Sequence, residues 1–187
     1  KEFYEKLAEM EEVDKEASLF PMDYFTQENF GEIYAANAVE GMGSPSVETT
    51  KEKLTCTITI RCDTILNNMD NLDPAKAPYV PDNGVILREV TVEFEEGETV
   101  FDVLNRACKH YNIPIEYSWT PMYDSYYIEG INNLYEFDCG NLSGWMYCVD
   151  GWYPNYGCSR YQLKDGETVE FRYTCDLGKD VSCDWMG

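Results

Sequence analysis

Residues 1–17 place Phe3, Leu7, Met10 and Ala17 at helical spacing among Glu and Lys, a pattern that predicts an amphipathic helix. Pro21 stops it. A second helix is predicted after Thr26, with Phe30, Ile33, Tyr34 and Ala38 on one side, ending at Gly41, Gly43 and Pro45. Together they predict a short N-terminal helical hairpin over 1–50, a spacer. From Leu54 the period changes from helical to alternating. Leu54, Cys56, Ile58, Ile60 and Cys62 share one face of a predicted strand, and Thr55, Thr57, Thr59 and Arg61 share the other.

Residues 63–84 read as an irregular, Asn- and Asp-rich excursion that closes on Pro81 and the turn dipeptide Asn83-Gly84. Alternation resumes at Val90, Val92 and Phe94 and ends by Gly97. Thr99 with Asp102 three positions on predicts a capped helix, with Val103, Leu104, Ala107, Cys108 and Tyr111 as its buried stripe and Pro114 as its end. Short aromatic-rich strands follow, and Val169, Phe171, Tyr173 and Cys175 alternate with Glu170, Arg172 and Thr174 in a final one. Two strands, a helix and further strands predict an α+β domain with the helix on one sheet face.

Composition narrows the function classes. The chain has 35 acidic and 14 basic residues in 187, a formal charge of −21. That balance makes nucleic acid and anionic lipid poor partners, because binding to a phosphate backbone draws on Lys and Arg, and no nucleic-acid partner is expected. Aromatic residues make up 14% of the chain, which predicts a folded protein. No apolar run reaches the roughly 20 residues of a membrane helix. The start at Lys1, without a signal peptide's apolar stretch, leads to the expectation of a processed piece of a longer protein. Eight cysteines favour a disulfide framework and an exported protein, extracellular or at the cell surface. None of them has the CxxC spacing of a structural zinc site.

Gly144-Trp-Met-Tyr-Cys-Val-Asp-Gly-Trp-Tyr-Pro-Asn-Tyr-Gly157, then Cys-Ser-Arg-Tyr-Gln-Leu-Lys-Asp-Gly166 and Glu-Thr-Val-Glu-Phe-Arg-Tyr173, carry a family pattern. It resembles the end of the transcobalamin and intrinsic-factor C-terminal domain, and within that family the bacterial domain-of-unknown-function branch found in surface proteins. The resemblance covers about residues 54–181 and leaves 182–187 as a tail. It implies a ubiquitin-like β-grasp, a mixed sheet with one packed helix. Physical reasons favour the same residue types, since Asp150-Gly151 and Asp165-Gly166 suit tight turns that need positive φ. Trp145, Tyr147 and Val149 alternate with Met146 and Cys148, so one aromatic face is expected to be buried and the other free. The implied fold sets the first and last strands side by side and parallel, which makes Cys62 with Cys175 the first disulfide candidate. Cys139 with Cys158, flanking the aromatic hairpin, is the second.

The aromatic residues between Tyr117 and Tyr161 are dense enough to line a groove, and Trp119, Trp152, Tyr153 and Tyr156 are the candidate ligand-binding residues because they fall in loops or turns. Catalysis has little to stand on. His110 is the single histidine and reads as a helix-surface residue, and no phosphate loop, metal-spaced His pair or nucleophile elbow is present. Asp63, Asp138, Asp176 and Asp180 fall at strand ends and read as solvated turn residues without EF-hand spacing, so no metal site is assigned. No cofactor is assigned either. The reading is a non-enzymatic binding module of a larger cell-surface protein, with a protein, glycan or small molecule as ligand. The alternative is a corrinoid or other small-molecule binder, with a metal-dependent or carboxylate-pair enzyme behind it. The resemblance implies cobalamin in the named relatives, where a large helical domain supplies the other half of the site.

Overall fold

The computed structural model describes residues 53–183; the predicted helical hairpin over 1–50 and the last four residues of the tail lie outside them. The described residues form an α+β arrangement. Strand β1 (Leu54–Arg61) buries Cys56, Ile58 and Ile60 and leaves the threonines between them partly exposed, as period-two alternation requires. It pairs antiparallel with β2 (Val85–Phe94) on one side and parallel with β7 (Thr168–Thr174) on the other. β6 (Gly144–Val149) joins the far edge of β7, giving the order β2-β1-β7-β6.

Helix α1 (Val100–Tyr111) connects β2 to the second half of the chain. Its start is a complete capping box: the Thr99 hydroxyl accepts from Asp102 N, and the Asp102 carboxylate accepts from Thr99 N at 2.8 Å. Its end is Asn112, in the left-handed region that asparagine tolerates, two residues before Pro114. Val100, Val103, Leu104, Ala107 and Cys108 are buried and share one core with Ile58, Ile60, Val169 and Phe171 of the sheet. A second sheet, β3 (Ile115–Thr120), β4 (Ser125–Ile131) and β5 (Leu134–Tyr135), adds Ile128, Ile131 and Leu134 to that core.

Three differences from the sequence reading have physical causes. β2 begins at Val85, earlier than the alternation shows, because the Asn83 side chain accepts from Val85 N and Val85 pairs directly with Arg61. The 63–84 excursion is ordered: Asp63–Asn67, Met69–Asn71 and Pro74–Tyr79 each make a short 3₁₀ turn. Gly84 closes it at φ 66°, with the Asp63 backbone so near that a Cβ there would lie 2.4 Å from Asp63 Cα. Finally, β6 is buried on both faces. Its second face, expected to be free, meets Leu177, Val181 and Cys183, which with Met146, Cys148 and Tyr153 form a smaller apolar cluster.

All eight cysteines stand as free thiols. Neither candidate disulfide is present, and the register explains why the first pair is not aligned. Arg61 lies opposite Arg172, so Cys62 comes level with Tyr173 and Cys175 runs two residues past it. In the second pair, Cys139 lies by Asn68 O, whereas Cys158 is placed within the field of Asp102 at the start of α1.

Candidate functional site

The hairpin that follows β6 is set by its two central residues. Asp150 and Gly151 take φ values of 50° and 80°, and Val149 and Trp152 exchange both backbone hydrogen bonds at 2.9 Å. Asp150 is further fixed against β7, since its carboxylate accepts from Thr168 N at 2.9 Å. Trp152 therefore has a rigid backbone, yet its side chain is exposed, at 54%. Its ring lies 6.3 Å from Tyr156 and 6.4 Å from Tyr161, and Tyr156 stacks on Tyr161 with an interplanar angle of 17°. Beneath them Tyr147, buried on β6, donates its hydroxyl to Tyr156 O and meets the Tyr161 ring edge-on.

A second cluster is built on β3 and β4. Trp119 and Tyr126 are direct cross-strand partners with ring centroids 5.1 Å apart. Tyr126 stacks on Phe101 of α1 at 4.4 Å, and Tyr117 meets both of those rings edge-on. Trp119 is 49% exposed and Met122, at the tip of the tight turn after it, is 77% exposed. The helix thus anchors the buried side of a surface whose outer side is apolar and open to solvent.

The segment 157–161 ties the two clusters into one scaffold. Ser159 Oγ accepts from Tyr126 N at 3.0 Å and lies 2.8 Å from Ser125 Oγ, while Tyr161 O accepts from Val100 N. Gly157 is required by contact: a Cβ there would fall 1.8 Å from Ser125 Oγ and 2.5 Å from Ser125 Cβ. Ser125 is buried, so neither atom has room to withdraw. Gly157→Ala is expected to lower the denaturant midpoint by an amount equivalent to about 1–3 kcal/mol, and adding Ser125→Gly to recover much of it. A neutral Gly157→Ala in the same denaturation series would show that the segment gives way freely.

Of the four sequence candidates, Trp152 and Tyr156 come together, and Trp119 belongs to the neighbouring cluster. Tyr153 is placed elsewhere. It is 6% exposed in the smaller apolar cluster and donates its hydroxyl to Val181 O at 3.0 Å, because it follows Trp152 on the opposite side of the chain. Tyr117, Met122, Tyr126 and Tyr161 were not singled out by sequence. Thr120-Pro-Met-Tyr-Asp124 was the available signal, a turn sequence that sets Met122 at its tip.

The site's electrostatics are those of neutral phenols. Burial pushes Tyr156 and Tyr161 above the usual tyrosine range, and for Tyr161 the 2.8 Å hydrogen bond to the Glu167 carboxylate adds to it. Both hydroxyls keep their protons near neutral pH. His110 is exposed on α1 and makes a ring contact with Tyr111. The four strand-end aspartates do not converge: Asp63 pairs with Arg61 and Arg172, Asp138 with Lys76, Asp180 accepts from Cys175 N, and Asp176 is exposed. Among the described residues no helix is long and apolar enough to cross a membrane.

Together these residues form an α+β domain with two exposed aromatic clusters on a hydrogen-bonded frame. Residues 97–175, from the turn before α1 to the end of β7, match the family described as Domain of unknown function (DUF4430). No curated protein matches the chain. Among solved structures, haptocorrin in complex with Cbi is similar over 69% of this chain, at 18% identity and a TM-score of 0.46; the chain corresponds to 27% of that protein's length. A protein from Ruminococcus gnavus ATCC 29149, named for a suspected metal-binding role, is similar over 65% of this chain and 96% of its own, at 12% identity and a TM-score of 0.39.

Proposed function

We propose that the domain is a transcobalamin-like β-grasp used for binding, a module of a larger cell-surface protein that catalyses nothing and recognises its ligand through Trp119, Trp152, Tyr156 and their ring neighbours. The β-grasp reading is supported by the parallel pairing of β1 with β7 at the centre of the sheet and by helix α1 packed against that sheet's core. The binding reading rests on one observation: two tryptophans, each about half exposed, stand on backbones fixed by turn and cross-strand hydrogen bonds. Exposed aromatic rings that are already ordered lose little entropy on binding, and they suit ligands with a flat apolar face, such as a sugar ring or an aromatic side chain.

The test is titration of the protein with a panel of soluble oligosaccharides and tyrosine-rich peptides, read by intrinsic tryptophan fluorescence. A member of the panel is expected to bind saturably, with Trp119→Ala or Trp152→Ala weakening it about tenfold or more. A ligand that binds both variants as tightly as the parent would place recognition away from these rings. A corrinoid titrated in parallel and read by its visible spectrum separates the alternative, since a saturable change there would make the corrinoid the ligand.

A further inference from the structure

Cys139 and Cys175 are far apart in sequence and meet on the same turn. Cys139 lies between β5 and β6, and Cys175 follows the last residue of β7. The 3₁₀ turn after β1 receives both thiols: Cys139 Sγ faces Asn68 O at 3.5 Å, and Cys175 Sγ faces Thr64 Oγ1 at 3.7 Å. Thr64 and Asn68 are joined by a 2.9 Å hydrogen bond from the Asn68 side chain to Thr64 O, so the two thiols lie over one turn of backbone. The two thiols are also near enough for each to perturb the ionisation of the other. Both main chains are held, Cys139 N by Ser143 Oγ at 3.1 Å and Cys175 N by Asp180 Oδ2 at 2.7 Å.

We propose that Cys139 and Cys175 are the two halves of a disulfide, closed as the domain folds in an oxidising compartment. Cys175 is the one cysteine of the eight that is not fully buried, and it offers a mixed disulfide a way in. The step balances by exchange with a small-molecule disulfide such as oxidised glutathione. Cys175 attacks it as thiolate and releases one thiol. Cys139 then attacks the mixed disulfide at Cys175 Sγ and releases the second. The protein loses two protons and two electrons, and the oxidant is reduced to two thiols. Burial raises both protein thiols in the folded state, so exchange there is slow and closure belongs to the folding stage. The ring it closes contains β6, the aromatic hairpin and β7.

The experiment refolds the denatured, reduced chain in a glutathione redox buffer, alkylates the remaining thiols, digests without reductant and identifies cross-linked peptides by mass. The peptides carrying Cys139 and Cys175 are expected to be joined, at a mass about 2 Da below the sum of their thiol forms. The refolded protein should melt about 5 °C or more above the same protein after reduction. In Cys139→Ser and in Cys175→Ser that redox dependence should disappear. A link of Cys62 to Cys175 or of Cys139 to Cys158, recovery of Cys139 and Cys175 both alkylated, or an unchanged redox dependence in the two variants would each overturn the proposal. The mass measurement is made on the unmutated chain, so it stands even where a serine variant does not fold.

Discussion

Trp145→Ala is expected to cost about 3–5 kcal/mol of stability, while Trp152→Ala, seven residues on, should stay within about 1 kcal/mol of the parent. Trp145 is 2% exposed, meets Tyr173 edge-on at 5.3 Å, and donates its indole N–H to Leu134 O at 2.8 Å. Truncation removes the ring contacts, leaves a cavity between β6 and β5, and orphans a buried carbonyl, three losses that add in the same direction. Trp152 shares the chemistry and none of that environment. Its backbone pairing with Val149 survives the loss of the side chain, and its ring neighbours Tyr156 and Tyr161 remain supported by Tyr147 and Glu167. Urea denaturation of the two variants, compared at constant m, reads the difference directly. Equal losses would make Trp152 a core residue and remove the anchor of the proposed binding surface.

The contrast between those two tryptophans was legible in the sequence, and the reason is local. Trp145 lies inside an alternating run and Trp152 follows Asp-Gly, and both patterns act over a few residues. The same locality made β1, β7 and the Thr99 to Asp102 cap readable. What depends on contacts distant in sequence was not. The second face of β6 is covered by Leu177, Val181 and Cys183, sparse apolar residues in a polar segment that shows no period of its own. Tyr153 followed from that cover: a residue adjacent to an exposed turn tryptophan becomes core only if something lies over it. Cysteine pairing failed for a related reason. Cys62 and Cys175 were matched as strand ends, and a two-residue overrun of β7 past β1 was enough to carry Cys175 to a different neighbour. Register is a property of two strands together, and neither strand's sequence contains it.

Alkaline conditions are expected to weaken the reduced protein before they affect most proteins, through thiols that are buried as neutral groups. Burial pushes Cys56 up to about 11 and Cys62 and Cys108 up to about 12, from an ordinary value of 9.0. These are acids whose protonated form is uncharged, so a raised value means that the folded state holds the proton more tightly than the unfolded state. Below pH 9 both states are protonated and the stabilisation is fully present. Between pH 9 and about 11 the unfolded chain has lost protons that the native state keeps, and stability falls by about 1.4 kcal/mol per pH unit for each such thiol. The fall ends near 12, where the native thiols ionise as well. The measurement is the urea midpoint of the reduced protein at steps from pH 7 to 10.5, against Cys108→Ala, which replaces the thiol on the inner face of α1 with a smaller apolar group. The variant should start lower in stability and decline less steeply above pH 9, by the share of one thiol. That difference in slope is independent of the general repulsion of a chain at −21, which both proteins share. Parallel curves for the two proteins would mean that Cys108 titrates in the folded state as it does in the unfolded chain, and the core around α1 would then be far more accessible to solvent than its packing against β1 and β7 implies.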